Sequence, residues 1–378
     1  MAFSFIKETL FCVFDSYFAK HEVIVLKRQQ SDIEFIESKD RWRKRKILVI
    51  LSCMLVVLII GSLTIGRYGI PIKQLGTVMW QYITGTITDE NKSAFTVLFI
   101  IRIPRIFLSL MVGAALSVSG AAYQGLFKNP MVSPDILGVT GGASVGAALG
   151  LLLDFSSLGV HTVSFLFGIS AVILVMLLTR VIGRGNGTLL VMVLSGTVIS
   201  SIFSSFTSLI KYVADTDDKL PAITFWLMGS FARSGSYNNV LIMMIATLVG
   251  IAPLMMIRWK INALTFGEEE AQSLGINTKQ IRGIIILCST LLTASSVCLC
   301  GTIGWVGLIM PHITRLIVGP NYCALLPTAM LSGAVFMLIV DNVARTIISS
   351  EIPIGILTSL IGAPLFIYLL FKGRRDWT

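Results

Sequence analysis

Residues 283–340 read GIIILCSTLLTASSVCLCGTIGWVGLIMPHITRLIVGPNYCALLPTAMLSGAVFMLIV, and Arg315 is the one formal charge in the stretch. A bilayer crossing takes about 20 apolar residues at about 1.5 Å rise each, so this stretch has room for three. It also carries two breaks. Gly301-Thr302-Ile303-Gly304 and Gly319-Pro320-Asn321 combine the two residue types that stop helices. Residues 283–340 therefore predict three membrane spans divided at those points.

Working outward, residues 47–66, 106–127, 136–153, 162–179, 187–210, 234–257 and 352–371 are free of Asp, Glu, Lys and Arg. With the three spans above, they predict ten. Only 13% of the 378 residues are charged and 54% are hydrophobic, against about 25% charged in a soluble domain. Such a chain lacks the polar groups to cover a water-facing surface, and lipid is its expected solvent.

The net charge is +10. Its placement argues against nucleic acid as a partner. Arg41, Arg43, Lys44, Arg45 and Lys46 stand directly before the first span, and Lys372, Arg374 and Arg375 directly after the last. The positive-inside rule puts both termini in the cytoplasm, which an even number of spans requires. In that orientation Lys128, Arg180, Arg184, Arg258, Lys260, Lys279, Arg282 and Arg315 fall inside. Most acids, Asp89, Glu90, Asp154, Asp215, Asp217, Asp218 and Glu351, fall outside. Arg67, Lys73, Lys92, Arg102, Arg105 and Arg345 fall on the outer side against the trend.

Residues 1–46 mix Phe3, Phe5, Ile6, Leu10, Phe11 and Phe14 with charges. They lack the pattern of a signal peptide and read as an interfacial amphipathic segment or a poorly ordered tail. Residues 221–232 are apolar, too short to span, and follow an acidic loop. They predict a short re-entrant or interfacial helix near the outer mouth, which needs protein or a water-filled cavity around it.

Few residues offer chemistry. The cysteines form no Cys-x-x-Cys pair, and His21, His161 and His312 are far apart, so no metal site and no cofactor is expected. A membrane-embedded enzyme would need a clustered site of that kind. No Gly-x-x-x-x-Gly-Lys-Ser/Thr occurs, so ATP, if used, is hydrolysed by another protein. An ion-coupled transporter keeps acids or histidines within its spans. Here Asp341 is the exception, and Arg345 four residues on shares its helical face. Gly138, Gly142, Gly146 and Gly150 recur at every fourth position and predict close helix packing.

Two polar segments remain. Residues 258–282 contain Gly267-Glu268-Glu269-Glu270-Ala271-Gln272-Ser273-Leu274-Gly275, a short helical turn capped by Gly275. It serves as a solvated connector or as a docking element. Arg102-Ile103-Pro104-Arg105 offers cations to lipid phosphate, or rim charges to an external partner.

Taken in order, these motifs resemble the FecCD family of permeases, over roughly residues 47–373. The resemblance runs from Arg102-Ile103-Pro104-Arg105 through Gly113-Ala114-Ala115-Leu116, Ser119-Gly120, Gln124, Asn129-Pro130-Met131 and Ile136-Leu137-Gly138. It continues through Phe225-Trp226-Leu227-Met228-Gly229-Ser230, the Gly267-Glu268 turn, Gly307-Leu308, Pro311-His312 and Arg315. It ends with Asp341, Ala344-Arg345, Ile352-Pro353-Ile354-Gly355 and Gly362-Ala363-Pro364. Met131 stands where Leu is commoner, Glu270 is an extra acid, and the 46-residue extension is long.

The resemblance implies an all-α bundle of about ten transmembrane helices in a bacterial cell (inner) membrane, the fold of a type II ABC importer permease. It implies a second permease subunit, identical or paralogous, two cytoplasmic ATP-binding subunits, and an extracellular binding protein that delivers an iron–siderophore, haem or cobalamin. Gly267, Glu268, Glu269, Ala271, Leu274 and Gly275 would form the coupling helix on the ATPase. Arg102, Arg105 and Arg345 would accept glutamates of the binding protein. Asn129, Pro130 and Met131 would lie near the cytoplasmic constriction of the translocation path. The domain boundaries expected are 1–46 for a cytoplasmic extension, 47–373 for the permease and 374–378 for a tail.

Overall fold

The structure is a computed structural model that describes residues 39–66, 68–183, 188–232, 235–348 and 350–373. Expectations for residues 1–38 and 374–378 lie outside the described residues. The chain divides into two units, residues 1–50 and 51–378. Helix α1, Lys39–Thr64, begins in the first unit, where Lys44 pairs with Asp40 one turn earlier.

Every element among the described residues is helical. After α1 come α2 (Ile72–Thr84) and α3 (Lys92–Phe95), which continues through a π-helical stretch, Thr96–Arg102, into α4 (Ile103–Leu126). Then follow α5 (Val139–Leu152), α6 (Ser157–Ile182), α7 (Thr188–Val213), α8 (Lys219–Leu227) and α9 (Tyr237–Met256). Short helices α10 (Arg258–Phe266) and α11 (Glu268–Ser273) lead to α12 (Thr278–Cys300), α13 (Val306–Val318), α14 (Tyr322–Thr346) and α15 (Ile354–Gly373).

Among the described residues, seven helices are long and apolar enough to cross a membrane: Lys39–Thr64, Asp89–Leu126, Ser157–Ile182, Thr188–Val213, Tyr237–Met256, Thr278–Cys300 and Tyr322–Thr346. The shorter apolar helices α5, α13 and α15 bring the apolar set to the expected ten. The breaks inside residues 283–340 fall where the glycines stand, between Cys300 and Val306 and between Val318 and Tyr322.

Helix α4 is the axis of the second unit. It packs against α14, α12, α13 and α9, and small residues allow the approach. A Cβ on Gly113 would stand 2.3 Å from the Gly333 carbonyl oxygen of α14. One on Gly120 would stand 1.7 Å from that of Gly307 in α13. Such contacts replace the hydrophobic drive that lipid does not supply. The α5–α6 pair is built alike, since Cβ atoms on Gly142 and Gly146 would meet the carbonyl oxygens of Phe167 and Val163 at 2.4 and 2.5 Å. Gly150 faces Val160. Gly138 departs from the four-residue pattern. It precedes α5 with φ 77° and faces Ser200 of α7.

Helices α5 and α13 have 14 and 13 residues, about 20 Å each against a core of about 30 Å. Irregular backbone completes the depth, and its polar groups need partners inside the protein. They have them. Ser230 N–H donates to Cys300 O at 2.8 Å, and Ile354 and Gly355 N–H donate to Gly229 and Met228 O at 3.0 Å. The Gln124 amide donates to Leu308 O at 3.1 Å. Gly301 has φ 76°, and a Cβ there would fall 2.3 Å from Trp226 O, so this crossing of α8 and α12 admits glycine alone. The short helix expected over residues 221–232 is α8, which starts two residues earlier and stops at Leu227, and its end is stitched into the bundle.

Candidate functional site

The expected functional residues fall at the two ends of the bundle, and a cavity that the sequence did not single out lies between them. The first place is the end where the C-terminus of α4 meets α10 and the start of α14. Asn262 accepts the Tyr322 N–H at 2.7 Å and donates to Asn321 Oδ1 at 3.0 Å. Arg315 donates to the Tyr322 hydroxyl at 3.0 Å. At this end α11 forms the predicted turn. Gly275 has φ 74°, its N–H donates to Gln272 O at 2.9 Å, and Ile276 N–H donates to Ala271 O at 3.1 Å. That pair of bonds is the glycine-closed Schellman ending. Ala271 is fully buried, while Leu274 and the preceding Phe266 are 68% and 78% exposed. Glu268 is tied to α12 by Arg282 at 2.8 Å, and Glu269 is exposed. The result is a braced turn that presents apolar side chains and acids outward.

Asn129, Pro130 and Met131 leave α4 at the same end. The Asn129 side chain accepts the Met131 N–H at 2.9 Å, which fixes the turn, and Met131 is 42% exposed.

The second place is a cavity of about 710 Å³ deeper in the bundle, where the irregular segments meet. Ser133, Thr140, Thr293, Thr302 and Ser359 give it hydroxyls among apolar walls, and Asp135 is its one ionisable side chain. The Asp135 carboxylate accepts the Thr140 N–H at 2.7 Å, so it caps α5. Apart from Asp135, the walls carry no ionisable side chain.

The third place is the opposite end, about 36 Å from the first along α4. Here the structure corrects an expectation. Arg102, Arg105 and Arg345 are not exposed rim charges: they are 3%, 4% and 6% exposed. Arg102 donates to the backbone oxygens of Leu63 and Tyr68. Arg105 donates to Asp341 Oδ1 at 2.8 Å and to both oxygens of Glu351 at 2.8 and 2.9 Å. Arg345 donates to Ser62 O and Oγ at 2.7 and 2.6 Å and stands 4.0 Å from Asp341. Burial is the reason: cations removed from water need fixed acceptors. Glu351 and Ser62 are members of the cluster that the sequence did not single out.

The comparisons with known proteins agree on the family. The model of the FecCD transport family matches residues 54–372. The molybdate import system permease protein MolB of Haemophilus influenzae is 43% identical over 87% of this chain and 96% of its own length. A Helicobacter pylori protein described as a probable iron chelatin transport system permease is 36% identical over 86% of this chain and 98% of its own. A solved chain, described as an inward-facing conformation of a metal-chelate type ABC transporter, superposes with TM-score 0.75. It is 42% identical, over 87% of this chain and 99% of that one.

Proposed function

Because the chain belongs to the FecCD transport family, we propose that this integral membrane permease forms half of the path of an ATP-driven importer for an iron(III)–siderophore. The observation that carries the reading is α11, a rigid turn whose exposed Leu274, Phe266 and Glu269 suit a cleft in a separate ATP-binding subunit. The chain has no Walker loop of its own, so the driving reaction belongs to that partner. An extracellular binding protein delivers the ligand, and a second permease completes the path. The α11 end then faces the cytoplasm, with both termini on that side.

The chemistry on the substrate is nil. ATP binding displaces α11, and the displacement passes through α10 and α12 to a bundle with two rigid packings. Asn129, Pro130 and Met131 narrow the path at the cytoplasmic end. Docking at the outer end uses Arg102, Arg105 and Arg345. For Arg105, Glu351 must yield its place to a carboxylate of the binding protein.

A second reading is a molybdate importer, favoured by the 43% identity to MolB. Uptake of radiolabelled ferric siderophores and of molybdate in cells with and without this chain separates the two. Loss of ferric siderophore uptake alone supports the first reading, loss of molybdate uptake alone supports the second, and unchanged uptake of both removes both.

A further inference from the structure

We propose that the groove between α6 and α12 is a resident site for one anionic phospholipid, with its phosphate on Arg180 and an acyl chain in the slot beneath. The groove encloses about 320 Å³. On α6 its wall follows residues 169, 172, 173, 176, 177 and 180, one face of a helix. On α12 it is formed by Gly283, Ile286, Leu287 and Thr290. The helices run antiparallel, so Arg180 in the last turn of α6 lies level with Gly283 near the start of α12.

Three features suit this slot to an acyl chain. Its walls are apolar apart from Arg180 and Thr290, and Ile173, Leu177 and Leu287 are 52%, 50% and 70% exposed. Gly283 leaves it open: a Cβ there would meet nothing within 4 Å. The span from Ile169 to Arg180 is about 16 Å, the depth of one leaflet's hydrocarbon.

Charge chooses the headgroup. Arg180 is exposed, and among the described residues it has no ion pair or hydrogen bond. Its neighbour across the sequence, Arg282, is already held by Glu268. A guanidinium at the membrane surface above an apolar slot matches a phosphodiester on a hydrocarbon tail. Its fork binds two phosphate oxygens at once. A zwitterionic lipid brings a cation to the same place and gains less. The site rests on the importer reading only for the name of the leaflet, which is cytoplasmic if α11 faces the cytoplasm.

The test is native mass spectrometry on the full chain purified in detergent, with phosphatidylglycerol and phosphatidylcholine of identical acyl chains. The wild type should retain phosphatidylglycerol about fivefold over phosphatidylcholine, the preference one interfacial arginine supplies. Arg180→Gln should bring that ratio to about one, and Arg180→Lys should keep part of it. Gly283→Leu should lower retention of both lipids by filling the slot. A ratio unchanged in Arg180→Gln overturns the headgroup assignment, and retention unchanged in Gly283→Leu overturns the slot. Neither readout depends on transport, so failure here is distinct from failure of the importer reading.

Discussion

The buried arginine cluster makes a quantitative prediction, because its two acids differ in burial. The Asp341 side chain is 0% exposed and serves Arg105 at 2.8 Å, with Arg345 at 4.0 Å. Asp341→Ala leaves two cations in a dry setting with one carboxylate, Glu351, between them. Breaking a buried pair by removing one partner costs about 3–5 kcal/mol. Glu351 is 32% exposed, and its removal leaves Arg105 with Asp341. Water and salt already weaken that contact, so Glu351→Ala should cost about 0.5–1 kcal/mol. The gap is at least about 2 kcal/mol, roughly 30-fold in the unfolding equilibrium. Denaturation by sodium dodecyl sulfate in mixed micelles, followed by tryptophan fluorescence, reads it directly. Asp341→Asn keeps an acceptor for Arg105 and should fall between. If Glu351→Ala destabilises as much as Asp341→Ala, the division between a buried and a peripheral partner is wrong. The same variants address docking. If a binding-protein carboxylate replaces Glu351 on Arg105, Glu351→Gln removes the competitor. It should then tighten binding in a pull-down, and more so at low salt. Equal affinity would show that Arg105 is not exchanged.

Close helix contacts offer a second check. Gly120→Ala drives a methyl into the Gly307 backbone and should cost more than the usual 1–3 kcal/mol of overpacking, whereas Gly304→Ala, with nothing within 4 Å, should be close to neutral in the same denaturation. At the other end, Glu268→Lys breaks the tie to Arg282 and reverses the charge at the first position of α11. It should abolish uptake while leaving the loaded binding protein able to dock, and unchanged uptake would remove α11 from the coupling path.

The count of spans was legible because glycine and proline punctuate apolar runs, and the helix ends at Cys300 and Val318 sit beside those residues. The end that holds Arg102, Arg105 and Arg345 was not legible, for a related reason. Reading spans as charge-free windows assumes that a charge marks the water. The helix that the window starts at Ile106 begins at Asp89, because Arg102 and Arg105 lie within it and are satisfied by protein. Helix α2 escaped notice for a different cause: it is amphipathic and largely exposed, with no long apolar run.

The same assumption made the three arginines look like surface charges. The i,i+4 spacing of Asp341 and Arg345 placed them on one helical face, and they are there. Spacing along one helix sets an upper limit on separation and says nothing about competition. Arg105, 236 residues away in sequence, takes the 2.8 Å bonds to Asp341, and Arg345 is left at 4.0 Å with Ser62 and Asn342. The better-aligned donor wins because in a dry site a short, directed bond outweighs mere proximity of charge. A docking partner that draws on Arg105 therefore acts on a junction of α1, α4, α14 and the segment that leads into α15. Recognition at that end would loosen internal bonds between helices as it forms external ones.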